Sequence, residues 1–313
     1  MVSYVYICSA RYSGSTLLDL LIGAHSRAAS LGEISHLPKN LALNTPCTCG
    51  AGVRACPLWT QVARRLSSSL GRDLLAHPYA LDLGYVSARV VVDRHRQTQI
   101  YELRRTAAHA LWFLELRSGL RRHGPSLIPA VRHAVANNWL VYDAVREILD
   151  VDLVVDSTKH YLKAVELYKA RPGPFRIVLL TRDGRGVLQS GLKRGDEIEP
   201  SIRGWKNHYR RALPLIARHV RPDHVLRLKY EELAAAPARV LERICSFLGV
   251  AYEPSMLSFT AKTQHMTNGN EMRFRKQPDI RADESWRTEL TKSQLERFDE
   301  LAGELNRELG YRE

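Results

Sequence analysis

The chain has 313 residues, 45% hydrophobic and 25% charged, an ordinary globular composition that excludes a disordered, collagen-like or coiled-coil protein. Its 46 Lys and Arg against 33 Asp and Glu leave a net charge of +13. Of the 46, 36 are arginines, whose guanidinium groups bind phosphate-like anions bidentately, so an anionic substrate, cofactor or polymer is the natural partner.

The excess is spread out, with 17 basic and 10 acidic side chains in residues 1–150 and 29 and 23 beyond, so no basic tail explains it. Val2 to Ser9 reads as a buried strand, because no basic region precedes the apolar run and Arg11 interrupts it before a signal-peptide core is complete. No long uncharged apolar stretch exists, so a membrane span is not expected. The five cysteines, Cys8, Cys47, Cys49, Cys56 and Cys245, are too few for a secreted disulfide scaffold, and a cytoplasmic location is the default expectation.

After the first strand comes the polar turn Ser9-Ala10-Arg11-Tyr12-Ser13-Gly14-Ser15-Thr16, leading into the amphipathic run Leu17 to His25. A strand, a turn of small residues and a helix N-terminus aim free backbone N–H groups and a positive dipole end at one point, which suits a phosphate. Gly14 allows close approach of an anion, and Ser13, Ser15 and Thr16 offer hydroxyl donors. The Gly-x-x-x-x-Gly-Lys-[Ser/Thr] pattern of nucleotide hydrolases is absent.

Further on, Cys47-Thr48-Cys49-Gly50 and Cys56 place three cysteines within ten positions. Three ligands of a structural zinc, a disulfide and free thiols are all compatible with that spacing, and no fourth ligand is evident nearby. Trp59 to Ile148 is rich in Arg and Leu, has helical periodicity and lacks a strong strand, so it reads as a helical insertion or cap.

Leu153 to Asp156, Arg176 to Thr181 and Val225 to Leu228 read as strands that alternate with helical patterns, the signature of an α/β fold with a mostly parallel sheet. Ligands in such sheets bind beyond the carboxyl ends of the strands. Arg182 leaves the strand Arg176 to Thr181 and Ser190 lies eight residues on, about two helical turns, so both can face one anionic group. Helices are expected after Asp183, from Arg203 to Val220, near Pro237, and from Thr291 to Leu309 with Thr291 and Gln294 as a capping box. Trp205 and Tyr230 are candidates to stack on an aromatic base, with plain packing the alternative for Trp205.

These segments together resemble the sulfotransferase family. Ser9 to Leu17 is similar to its 5'-phosphosulfate turn, and Arg182 with Ser190 to its 3'-phosphate pair. Asp156-Ser157-Thr158-Lys159 is similar to an Asp-Ser-Ser-Lys segment of bacterial-type members. Tyr230-Glu231-Glu232-Leu233, Pro237 and Phe247-Leu248-Gly249 follow in order. His265-Met266-Thr267-Asn268-Gly269-Asn270, with Arg273, Asp283 and Trp286, is similar to the segment that closes over the nucleotide.

The resemblance implies one domain over residues 1–313, with a P-loop-like three-layer fold and the insertion 59–148 shaping the acceptor site. It also implies transfer of a sulfuryl group from 3'-phosphoadenosine 5'-phosphosulfate (PAPS) to an acceptor hydroxyl, less readily an amine, releasing the 3',5'-bisphosphate (PAP), with no catalytic metal. The donor-site residues it implies are Arg11, Tyr12, Ser13, Gly14, Ser15, Thr16, Leu17, Arg182, Ser190, Tyr230, Gly269, Asn270 and Arg273. Gly32-Glu33 is similar to the Gly-Glu of tyrosylprotein sulfotransferases and makes Glu33 the expected base, with His36 the rival because histidine titrates nearest neutral pH.

Tyr12 stands where the family has a basic residue, so Arg11, one position earlier, and Lys159 are the expected catalytic cations. Acceptors in relatives include small molecules, carbohydrates, lipids and peptides, and this sequence does not choose among them or fix an oligomeric state, a homodimer included. Two other classes compete. A P-loop kinase or hydrolase lacks its lysine here, and a nucleic-acid or polyanion binder lacks interleaved aromatic motifs, so no nucleic-acid partner is expected.

Overall fold

The computed structural model describes residues 2–84, 99–118, 124–275 and 280–311. In chain order the elements are β1 (Tyr4–Ser9), α1 (Ser15–Gly23), β2 (Ala28–Ser30), α2 (Leu37–Leu43), α3 (Pro57–Leu70), α4 (Gln99–Ser118) and α5 (Pro129–Leu149). There follow β3 (Leu153–Lys159), α6 (Tyr161–Ala170), β4 (Phe175–Thr181), α7 (Gly184–Leu192), α8 (Ile198–His219) and β5 (Val225–Lys229). The chain continues through α9 (Tyr230–Ala235) and α10 (Pro237–Leu248) to the short C-terminal helices α11 (Trp286–Glu289), α12 (Lys292–Phe298) and α13 (Glu304–Glu308).

The five strands form one all-parallel sheet in the order β2-β3-β1-β4-β5. Because side chains alternate along a strand, each strand feeds two cores. Tyr4, Tyr6 and Cys8 of β1, with Ile177 and Leu179 of β4, pack on one face against Val145, Leu162, Val165 and Tyr209. Val5 and Ile7, with Val155, Val178 and Leu180, pack on the other against Leu18, Leu21, Leu241 and Ile244. Sheet and two helical layers give the expected three-layer α/β architecture.

The four expected strands are present with small boundary differences. β2 was not legible, since three residues with small side chains are too short to show alternation. The expected C-terminal helix is interrupted by a π-helical turn over Asp299–Gly303, and its capping box is formed, with Thr291 Oγ1 accepting from the Gln294 amide at 3.3 Å. Within the expected insertion, α3 packs on α5 and Trp139 of α5 stands edge-on to Tyr4 at 4.9 Å, while residues 85–98 and 119–123 lie outside the described residues. No described helix is long and apolar enough to cross a membrane.

One carboxyl is enclosed beneath the sheet's carboxyl end. Asp19 on α1 is fully buried and accepts from Ser157 Oγ at 2.6 Å. Burial pushes its pKa up to about 7. The folded state therefore keeps a proton that the unfolded chain releases near pH 4, so the contribution of Asp19 to stability falls as the pH rises from about 4 to about 7. Asp19→Asn should flatten the melting temperature across that interval relative to the wild type. Parallel pH profiles for the two proteins would show that Asp19 titrates elsewhere.

Candidate active site

Strand order reverses about β1, which lies between β3 and β4, and a cleft of about 1300 Å³ opens at their carboxyl ends. Its floor is the turn between β1 and α1. Tyr12 (φ 60°) and Gly14 (φ 85°) both take left-handed backbone conformations. A Cβ on Gly14 would lie 2.4 Å from the Tyr230 ring, so that ring can close on the turn only because position 14 has no side chain. No side chain caps α1, and the amide of Leu18 bonds the Gly14 carbonyl at 3.1 Å. The helix itself supplies no acceptor for the amides of Gly14, Ser15, Thr16 and Leu17. Uncapped amides at a helix start, beside a cleft with an excess of basic side chains, suit a phosphate-like anion.

The turn is held from below by two long-range contacts. Tyr209 accepts from the Ala10 amide at 3.2 Å and donates to the Leu180 carbonyl at 2.8 Å. Arg182, only 6% exposed, donates to the Tyr12 carbonyl at 2.8 Å, to Ser190 Oγ at 3.1 Å and to Asp283 Oδ2 at 3.1 Å. The eight-residue spacing thus does bring Arg182 and Ser190 together. The guanidinium also lies 4.6 Å from the centre of the Tyr230 ring, whose hydroxyl donates to the Arg281 carbonyl at 3.2 Å.

Across the cleft, β2 ends and Gly32 turns the chain with φ 70°. A Cβ there would meet the Asn268 carbonyl oxygen at 2.4 Å, so only glycine fits between β2 and the C-terminal segment. The next residue, Glu33, forms an ion pair with Lys159 at the end of β3, and His36 Nε2 lies 3.7 Å from its other oxygen. Burial holds the His36 imidazole below its ordinary pKa, against the opposing pull of Glu33. Beneath this pair Lys163, fully buried, bonds Asp156 Oδ2 at 3.0 Å and Ser35 Oγ at 2.9 Å, and Tyr142 donates to Asp156 at 2.5 Å. Asp156 also accepts from the Thr158 amide at 2.7 Å, which fixes the backbone leading into Lys159.

Most of the expected site residues converge on this one cleft: Arg11, Tyr12, Gly14, Ser15, Thr16, Leu17, Glu33, Lys159, Arg182, Ser190, Tyr230, Gly269 and Asn270 line it. Ser13 is turned inward, wholly buried, with its hydroxyl 3.4 Å from that of Tyr209. Arg273 faces the Gly269 carbonyl and the Phe274 ring instead of the cleft. Arg275 and Arg281 line the cleft in its neighbourhood. Trp205 is 2% exposed, donates to the Arg182 carbonyl at 3.2 Å and, like Tyr230, lines the cleft. Arg11 is well exposed, donates to the Tyr12 hydroxyl at 2.8 Å and lies 3.6 Å from Asp196, whereas Lys159 is largely enclosed.

None of the described residues of 59–148 lines the cleft. Trp112 of α4 instead stacks at 5.6 Å on His160, which does line it. Sequence reasoning missed Tyr209, Asp196, Lys163, His160 and His208. No local motif marks them, and Tyr209 and Asp196 act through partners far along the chain, Ala10 and Arg11.

A model of the sulfotransferase family matches residues 5–254. The fold is similar to that of the sulfotransferase domain from the Synechococcus PCC 7002 olefin synthase, at 19% identity, TM-score 0.55, and coverage of 100% of this chain and 96% of that one. It is also similar to the sulfotransferase domain from the curacin biosynthetic pathway (19% identity, TM-score 0.50, 100% and 99% covered). A sulfotransferase from Mycobacterium avium gives 14% identity and a TM-score of 0.52, with 97% and 76% covered. No curated protein sequence matches the chain.

Gly32→Ala forces both a left-handed alanine and a clash with backbone, and is expected to cost about 1–3 kcal/mol of stability. Urea unfolding reads this directly. An unchanged midpoint would mean that residues 266–270 yield to the methyl group.

Proposed function

The chain belongs to the sulfotransferase family, and from that membership we propose in-line transfer of the sulfuryl group of PAPS to an acceptor hydroxyl, with Glu33 as base. As a family member it is a PAPS-dependent enzyme that releases PAP. The observation that carries the assignment of roles is the convergence of three groups on one cleft: an uncapped helix N-terminus, the Arg182–Ser190 pair, and Glu33 beside Lys159.

The donor supplies an activated sulfuryl group on a phosphosulfate. The protein's part is to position and neutralise, since a loose transition state spreads charge over peripheral oxygens. The amides and hydroxyls of Gly14, Ser15 and Thr16 hold the 5' end. Arg182 and Ser190 hold the 3'-phosphate, with Asp283 balancing the buried guanidinium when no anion is there. Tyr230 is wedged between Gly14 and Arg182 and keeps both in register.

Lys159 is the better placed of the two candidate cations, because it is enclosed and touches Glu33. Arg11 stands further out and is engaged by Tyr12 and Asp196. The acceptor enters beside Glu33, past His36, His160 and His208. Burial pushes His160 to about 3 and His208 to about 4, so both present neutral imidazoles to the acceptor at physiological pH. The helical insertion supports this side through Trp112 against His160. The acceptor is a hydroxyl compound of a class these residues leave open.

Calorimetry without added metal should find PAP bound far more tightly than ADP or ATP; equal affinities would remove the 3'-phosphate site. Arg182→Ala should weaken PAP binding by about 10- to 100-fold, the worth of a charge-assisted hydrogen bond of about 1.5–3 kcal/mol. Glu33→Gln should lower kcat by about 10²- to 10⁴-fold with PAP affinity unchanged. A Glu33→Gln enzyme turning over at the wild-type rate sinks the base assignment.

A further inference from the structure

The three clustered cysteines meet a fourth group that lies 209 positions beyond the last of them. Cys47 and Cys49 sit on a tight loop after α2, closed by a bridge between Pro46 and Gly52 and by the Cys47 amide on the Ala51 carbonyl at 2.8 Å. Gly50 (φ 91°) lets the loop double back, with its amide on the Cys47 carbonyl at 3.0 Å. Cys56 immediately precedes α3. Into this loop comes His265 from the C-terminal segment. Its Nδ1 lies 3.2 Å from Cys56 Sγ, and Cys56 Sγ lies 3.6 Å from Cys47 Sγ.

The four candidate ligand atoms, three sulfurs and one ring nitrogen, all lie within 4.8 Å of one another. A tetrahedral ion with zinc–sulfur bonds of about 2.3 Å and a zinc–nitrogen bond of about 2.0 Å needs sulfur–sulfur edges of about 3.8 Å and sulfur–nitrogen edges of about 3.5 Å. The two measured edges fall within a few tenths of an ångström of these. Cys47 and Cys56 are wholly buried.

The backbone on both sides of His265 is gripped independently by the same loop and helix. Thr48 donates through Oγ1 to the Gln264 carbonyl at 2.6 Å and accepts there from the Met266 amide at 2.9 Å. The Trp59 indole N–H donates to the His265 carbonyl at 2.7 Å. Such bracing orients a ligand in the way metal sites require. A disulfide between two of the cysteines would leave the third thiol and the imidazole without a shared purpose. Three thiolates and one imidazole in tetrahedral reach select zinc over harder cations.

We propose that Cys47, Cys49, Cys56 and His265 bind one structural zinc ion that fastens residues 264–270 to the loop between α2 and α3. Four protein ligands close the coordination sphere, so the ion has no open position for a substrate. Its effect on the cleft is mechanical. Four residues beyond His265, Gly269 packs on Thr16, and Asn270 donates its amide to Thr16 Oγ1 at 3.1 Å. Asn268 supplies the carbonyl against which Gly32 is seated. The proposal stands on the ligand geometry alone and is independent of the reaction assigned above.

The test is elemental analysis of the full-length protein purified under reducing conditions, with cobalt(II) reconstitution as the second readout. One zinc per chain is expected, and the cobalt protein should show thiolate charge-transfer and tetrahedral d–d absorption. Cys49→Ser and His265→Ala should lose zinc. Chelation should lower the melting temperature and speed hydrogen exchange at residues 264–270, with zinc restoring both. Failure of the reduced wild-type chain to take up zinc or cobalt overturns the site without recourse to any variant. A Cys47–Cys56 disulfide in the chain as isolated, found by alkylation and mass spectrometry, overturns it too. Stoichiometric zinc with unchanged exchange at 264–270 overturns the fastening role.

Discussion

The cleft depends on one buried guanidinium. Arg182 leaves the end of β4 and joins four things that the chain supplies separately: the strained Tyr12 carbonyl, the Ser190 hydroxyl on α7, Asp283, and the face of Tyr230. A charge that is 6% exposed is tolerated only when paired and hydrogen-bonded, and removing a partner from such a pair typically costs about 3–5 kcal/mol. The same desolvation that makes the group costly makes it a strong anion site. Asp283, partly exposed, is the partner that a bound anion can replace. Tyr12 in the left-handed region is the kind of local strain that a surrounding structure must over-determine, and Arg182 together with Tyr209 does so.

The opposite wall uses the same logic with the signs rearranged. Lys163 is fully buried, and burial pulls its ammonium below the ordinary lysine pKa while Asp156 opposes that shift. Tyr142, Ser35 and the Thr158 amide complete the network, so each buried polar group there has a partner. Its consequence is positional. Lys159, in a left-handed conformation at φ 75°, is aimed across the cleft at Glu33, and the two charged groups stay together in its lining. Glu33 and Lys159 are thus set by β2 and β3, the uncapped turn and Arg182 by β1 and β4, and the sheet order alone puts them face to face.

What the sequence disclosed follows from how local each signal is. The turn after β1 and the Arg182–Ser190 spacing are short-range patterns, and both proved to be geometry: the latter is a 3.1 Å contact. Gly32-Glu33 was legible only through its resemblance to a family motif, and the structure adds the physical reason for the glycine, a left-handed φ of 70°. β2 escaped because three small residues carry no period. Ser13 reads like a ligand donor in the sequence, yet its side chain is turned inward and wholly buried, its hydroxyl 3.4 Å from that of Tyr209. Tyr209, Lys163 and His265 were out of reach for a different reason. Each matters through a partner that only the folded chain brings near.

The strap of residues 264–270 shows how such distant pairings set the site's dimensions. It touches the turn before α1 at Thr16 through Gly269 and Asn270, and the Glu33-bearing turn at Gly32 through Asn268. These two walls belong to different strands, and the hydrogen bonds of the sheet fix only their backbones. A single segment seated on both therefore fixes the gap between the uncapped amides of α1 and the Glu33 carboxylate. Transfer between two bound reactants is sensitive to that gap, since a displacement of about 1 Å can cost about a hundredfold in rate. The strap has no helix or strand of its own to keep it straight over residues 264–270, and its order comes from what grips it: Thr48, Trp59, Thr16 and the loop around His265. The cysteine loop lies outside the cleft and contributes no lining residue to it, yet through the strap it is joined to both walls.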